Sequence, residues 1–321
     1  MSEALPRELD GVVAVSQTHL IGLRQTPSRI ALKPRLARAN MSGQYLSAFK
    51  GRGMEYDESR PYEPGDDIRN MDWRVTARTG KPHSKLFREE RERPVLLWSD
   101  FRRSLAFGTR NCLKSVRAAE AAALLAWQAV AQGDRVGGLL FSDSRHLELR
   151  PGRGKHSALK LMKYLSEFSQ QAWQQLQQPA AEQPRNGDGE HALNRLAQVT
   201  RPGSLVYLLS DFRELSAALE STLFRIRRHS EVLLLQIEDP LEAELPPAGV
   251  YRVTDGREEA EVDSSLPQAR RRYRRHHDQR AQRLQDLAGK TGSRLVRLST
   301  ADEDISTVLL RRLAGGGGRH A

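Results

Sequence analysis

The chain has 321 residues, of which 38% are hydrophobic, and a formal net charge of +11, enough for one large α/β domain with an addition, or for two domains. Its single cysteine, Cys112, excludes an internal disulfide and, with no His or Cys partners at ligand spacing, argues against zinc; a reducing compartment fits. The charge is uneven: residues 1–53 carry 8 Lys/Arg against 3 Asp/Glu and residues 264–321 carry 13 against 5, so the middle is close to neutral.

Residues 1–40 read as a basic N-terminal segment. The polar start from Met1 to Asp10 has no apolar run behind it, so no signal peptide is expected, and no stretch nears the roughly 18 apolar residues that a bilayer span needs. A cytoplasmic location follows as an expectation. Residues 41–93 read as a β-rich segment built around one turn. Pro64-Gly65 fits the central positions of a type II turn, where proline presets φ and glycine accepts φ > 0. Beyond it the alternation predicts a strand over 68–78, with Ile68, Asn70, Asp72, Arg74, Thr76 and Arg78 on one face and Arg69, Met71, Trp73, Val75 and Ala77 on the other. Asp72 would then pair with Arg74 and Arg78, which points to a structural network and not to a catalytic centre.

This stretch also carries a family resemblance. Gly51-Arg52-Gly53-Met54-Glu55-Tyr56, Arg60-Pro61-Tyr62, Pro64-Gly65-Asp66-Asp67-Ile68-Arg69, Asp72-Trp73, Thr76-Ala77-Arg78 and Phe87-Arg88-Glu89-Glu90-Arg91-Glu92 together resemble the signature of the domain-of-unknown-function 58 family. The resemblance implies a lead-in to a von Willebrand factor A-like domain, held by Arg60, Tyr62, Gly65, Asp66, Asp67, Arg69, Asp72, Trp73 and Arg78. It also implies a neighbouring MoxR-type AAA+ ATPase, no enzymatic activity, and the short, soluble branch of a family with many membrane-anchored members.

From Pro94 onward, short apolar runs alternate with helical patterns over residues 94–321. Strands are predicted at 95–99, 136–142, 205–210, 232–238 and 294–298. Helices are predicted at 111–132 (capped by Asn111 and stopped by Gly133), 156–173, 191–199, 215–228, 266–288 and 303–313. Residues 170–189 read as a fraying helix end with a flexible loop, and 251–262 as a hairpin turning at Asp255-Gly256. The succession predicts a doubly wound, mostly parallel sheet with helices on both faces.

Such sheets bind ligands beyond the carboxyl ends of their strands. Asp100, Asp143, Asp211 and Asp239 each end an apolar run, and Ser99-Asp100-Phe101-Arg102 recurs as Ser210-Asp211-Phe212-Arg213. A strand-ending Asp is more often a turn former or helix cap than a ligand. The von Willebrand A fold implies a metal-ion-dependent adhesion site here, Asp-x-Ser-x-Ser with a distant Thr and Asp, whose oxygens suit magnesium. Asp100, Ser104 and Asp211 match it, but Arg102 replaces the middle Ser and no convincing Thr is found; the Gly152 to His156 loop lies where one is expected. The expectation is a degenerate site, without metal or cofactor, in which Arg102 bridges Asp100 and Asp211. The histidines show no metal-ligand spacing, the glycine runs lack a phosphate-loop context, and no Ser-His-Asp set can be nominated.

Arg270, Arg271, Arg272, Arg274, Arg275, Arg280 and Arg283 crowd the predicted helix 266–288 around its whole circumference. A solvated helix, an acidic-protein docking face and a phosphate-binding surface all fit, and few aromatics stand nearby for base stacking. The leading functional reading is a noncatalytic binding protein for a MoxR-type AAA+ ATPase, its client or another von Willebrand A-domain protein. The alternative is nucleic-acid binding through the arginine helix.

Overall fold

A computed structural model of the chain describes residues 6–25, 54–89, 92–177, 188–254 and 259–314. Two compact units emerge, Met1–Leu32 with Arg93–Ala321, and Lys33–Glu92.

The large unit is an α/β domain on a six-stranded sheet. In chain order its described elements are α1 (Gln17–Gly22), β1 (Pro94–Asp100), α2 (Lys114–Ala131), β2 (Arg135–Phe141), β3 (His146–Arg153), α3 (Gly154–Leu176), α4 (Asp188–Val199), β4 (Leu205–Ser210), α5 (Ala217–Arg227), β5 (Glu231–Glu238), α6 (Pro240–Ala243), β6 (Val250–Thr254), β7 (Glu259–Asp263), α7 (Pro267–Thr291), β8 (Arg294–Ser299) and α8 (Ile305–Ala314). The sheet order is β8-β5-β4-β1-β2-β3, with β6 and β7 forming a separate hairpin. All neighbouring pairs in the sheet are parallel except β2 with β3. The chain winds outward from β1 in one direction and then in the other, so the reversal of strand order falls between β1 and β4.

Period-two alternation along the strands divides the core. Val95 and Leu97 of β1 join a cluster with α2, α3 and α8, while Leu96 and Trp98 join α4, α5 and α7 on the opposite face. The centre of α2 is a run of fully buried alanines, Ala118, Ala119, Ala121, Ala122 and Ala123, small enough to let the helix lie close to its neighbours. Strand β3 was not anticipated. Its His-Leu-Glu-Leu-Arg alternation is that of a half-exposed antiparallel edge and lacks the continuous apolar run of its parallel neighbours. Asn111 does not cap α2; the cap position is Leu113, and the Asn111 amide donates to the Ala301 carbonyl at 3.2 Å. Helix α3 continues to Leu176, into the stretch read as fraying, and α4 begins at Asp188 within it; residues 178–187 and the turn of the expected 255–256 hairpin lie outside the described residues.

The N-terminal segment, read from sequence as a separate basic piece, contributes residues 6–25 to this unit. Val15 and Leu20 are fully buried, and the Trp127 indole donates to the Leu20 carbonyl at 3.0 Å. His19 Nε2 lies 2.9 Å from one oxygen of Glu120, whose other oxygen accepts from Arg117 at 3.1 Å. The Glu120 hydrogen bond raises the His19 pKa, outweighing the opposing effect of burial. A raised histidine stabilises the fold fully below its unfolded pKa of about 6.5 and loses that contribution as pH climbs through the folded value. Urea unfolding at intervals from about pH 6 to 9 should therefore show a decline in stability that His19→Gln abolishes; a variant keeping the wild-type slope would remove His19 as its source.

In the small unit, Met54–Pro61 and His83–Glu89 pair antiparallel. The expected turn forms, with the Asp66 amide donating to the Glu63 carbonyl at 3.0 Å and Gly65 at φ +112°. The strand expected over 68–78 does not. Ile68–Asn70 is a single 3₁₀ turn and Trp73–Thr79 an α-helix, capped by Asp72 at one end and by Gly80 at φ +68° at the other. Asp72 accepts from the Val75 amide at 3.1 Å and the Ser59 hydroxyl at 2.6 Å, so it does not pair with Arg74 or Arg78. Among the described residues Arg69, Arg74 and Arg78 form no ion pair. Asp67 instead receives the Arg69 amide at 2.9 Å, Arg60 pairs with Asp66 at 2.7 Å, and Trp73 is 65% exposed.

Candidate functional site

The carboxyl ends of β1 and β4 meet at the reversal point of the sheet. Of the four strand-ending aspartates, two converge there. Asp143 accepts the Arg103 amide at 2.7 Å. Asp239 caps α6, accepting from the Leu241 amide and from the hydroxyls of Thr109 and Thr300. Asp100 and Asp211 are both buried at the junction.

The recurrent Ser-Asp-Phe-Arg has one local geometry used twice. In each copy the arginine amide donates to the aspartate two residues before it, at 3.0 Å for Arg102 and 3.3 Å for Arg213. Each guanidinium then folds back onto the same carboxylate. Arg102 Nη2 lies 2.8 Å from Asp100 and Arg213 Nε 3.2 Å from Asp211. The second copy is tighter: Phe212 has φ +49°, an uncommon conformation for a bulky residue, and its amide donates to Ser210 Oγ at 3.1 Å. Ser210 in turn donates to Asp100 at 2.8 Å, tying the two exits together.

Arg102 does not bridge Asp100 and Asp211, contrary to expectation. Its second partner is Glu214, at 3.0 Å, on the exposed side. The cation inside the junction is Lys114, the first residue of α2. Its fully buried ammonium lies 2.9 Å from both Asp211 and Glu242, and Glu242 also receives Arg213 at 2.7 Å. Ser104 helps to hold the Asp211 carboxyl down, so the four residues singled out from sequence do come together, but around a lysine. Lys114, Arg213, Glu214 and Glu242 were missed as site residues. Only Arg213 carried a sequence signal, through the repeat; a lysine opening an apolar helix looks like an ordinary solvated end.

Burial works against charge at every carboxylate here, and the balance differs. Asp100 is pushed upward by desolvation, beyond the downward pull of Arg102. Asp211 and Glu242 resist burial and are held below the usual carboxylate range by Lys114 and by Arg213. A divalent ion needs free oxygens, and these are engaged by three organic cations, Arg102, Lys114 and Arg213. The donor set does not fit the magnesium site of the von Willebrand A pattern. Among the described residues no three His, Cys, Asp or Glu side chains are grouped to hold a metal ion. Cys112, close in sequence, is buried, and burial pushes its thiol up to about 12, which favours the protonated form.

A family model described as "Protein of unknown function DUF58" matches residues 58–284. The chain belongs to that family. The DUF58 match takes in part of each unit and includes β1, β4 and the residues of the junction they form. Uncharacterized protein Rv1480 of Mycobacterium tuberculosis and uncharacterized protein Mb1516 of Mycobacterium bovis are each 31% identical to this chain over 209 residues, 65% of its length. The matched region spans 62% of the length of those relatives. Solved structures similar to this DUF58 chain include BatB from Bacteroides thetaiotaomicron, at 14% identity and TM-score 0.42 over 70% of this chain and 98% of that one. An aerotolerance-related membrane protein from Bacteroides fragilis scores 0.44 at 13% identity, over 70% and 99%. A von Willebrand factor type A structure from Catenulispora acidiphila scores 0.30 at 13% identity, over 49% and 35%. No helix among the described residues is long and apolar enough to cross a membrane.

Proposed function

We propose that this DUF58 chain is a noncatalytic, cytoplasmic protein-interaction module of von Willebrand A-like type, docking through the edge above β1 and β4. Its partner in this reading is a MoxR-type AAA+ ATPase or a client of one, a class suggested by the family signature around Pro64 to Arg78. The observation that carries the reading is internal neutralisation. Asp100, Asp211 and Glu242, the acids that could serve as general base or metal ligand, are each spent on Arg102, Lys114 or Arg213. What faces outward is a set of charged tips, Glu214 at 63% exposure and Arg213 at 44%, with exposed Arg110 on the neighbouring loop. Such tips suit charge-steered recognition of a partner.

Substituting the buried aspartates would damage the fold, so the test uses exposed positions. Arg110→Glu combined with Glu214→Arg should weaken binding to a purified MoxR-type ATPase by about tenfold or more in calorimetry, with an unchanged circular dichroism spectrum. Equal affinity of variant and wild type would move the contact away from this edge.

A further inference from the structure

Helix α7 has two faces of different character. On one, Arg270 donates to the carbonyls of Ser264, at 2.8 Å, and Pro246; the Tyr273 hydroxyl donates to the Leu241 carbonyl at 2.7 Å; and Leu284 and Ala288 enter the core. Those positions recur at helical spacing, so the residues between them face solvent. The arginines run around the helix but are not equally exposed: Arg271, Arg272, Arg275 and Arg283 occupy the outward face with Arg274 on its flank, and Arg280 lies half-buried on the side of Tyr273. Among the described residues none of these six guanidiniums makes a hydrogen bond or ion pair, whereas Lys290, further along, reaches Glu220 at 3.7 Å.

We propose that this face binds the phosphate backbone of a nucleic-acid duplex, as a second surface independent of the β1/β4 edge. Planar guanidinium forks suit phosphate oxygens, and here their donors are unspent within the protein. The distance from Arg271 to Arg283 along the helix is about 18 Å, over which a duplex presents about ten charges. No apolar side chain stands among these arginines. An interfacial membrane helix needs an apolar face, and a protein-protein hot spot needs a buried anchor, so neither matches this surface as well as a row of phosphates does. With Tyr273 turned inward and no other Phe, Tyr or Trp on the helix for base stacking, binding is expected to be independent of sequence and to favour duplex over single strand.

The test uses the intact chain and a labelled mixed-sequence DNA duplex of about 30 base pairs in fluorescence anisotropy. Affinity should fall on the order of a hundredfold between about 50 and 200 mM salt. Arg271→Glu/Arg272→Glu/Arg275→Glu/Arg283→Glu should abolish binding at the lower salt. Arg150→Glu/Lys155→Glu/Lys160→Glu/Arg201→Glu, the same charge change at exposed sites elsewhere, should keep most of it. Equal loss in both variants would mean diffuse charge attraction and overturn the assignment. So would a wild type that ignores the duplex yet binds vesicles containing about 30% phosphatidylserine, or polyglutamate, through the same arginines.

Discussion

Lys114→Met is expected to lose about 3–5 kcal/mol of stability, because it strips the shared cation from two buried carboxylates. Lys114 has no exposed side-chain surface, and Asp211 and Glu242 stand on either side of it at 2.9 Å. Arg213 alone would then serve both acids, from a position that is 44% exposed and screened by water. The sign of the effect rests on partner removal and not on the intrinsic worth of the ion pair. Replacing the whole set, Lys114→Met/Asp211→Asn/Glu242→Gln, should accordingly recover a large part of the loss, since uncharged groups of similar shape no longer need a counter-ion. Urea denaturation midpoints of the two variants test both halves. A single mutant as stable as wild type would mean that the lysine does not neutralise the junction.

Gly138→Ala is expected to cost about 3 kcal/mol or more by a different route, steric rather than electrostatic. Gly138 sits in β2 opposite Leu97 of β1, and a Cβ added there would stand 2.3 Å from the Leu97 carbonyl oxygen and 3.3 Å from its Cβ. The first contact is with backbone, which can yield only by parting the two strands. Because β1 ends in Asp100, the strain would be delivered to the junction as well as to the sheet. Thermal unfolding should show the loss directly; a variant melting with wild type would show that the β1/β2 spacing has slack.

The parallel strands and their helices were legible in sequence because each is a continuous apolar run or a sustained helical pattern, as in Leu205–Ser210 and α7. Strand β3 was hidden by its polar alternation. The segment 68–78 reads as a strand and folds as a 3₁₀ turn and a helix. Its charges do alternate, but Asp72 and Gly80 bracket seven residues as helix caps, and those caps outweigh a period-two pattern that buries nothing. At the junction, Asp100, Arg102, Ser104 and Asp211 could be found because each follows a strand in order along the chain. Lys114 and Glu242 could not, since the first arrives from the start of α2 and the second from the short helix after β5. Only the folded sheet brings these ends together. The bridging role expected of Arg102 failed for the same reason: a nearer cation was already seated on Asp211.

Titration of magnesium and manganese into the wild-type chain and into Lys114→Ala, followed by calorimetry, tests most directly whether organic cations have taken over this junction. With Lys114 in place, no heat of specific binding is expected for either ion at millimolar concentration, and removal of the ammonium should open measurable affinity for manganese between Asp211 and Glu242. Stoichiometric magnesium or manganese binding by the wild type, lost on Asp211→Asn, would contradict the account.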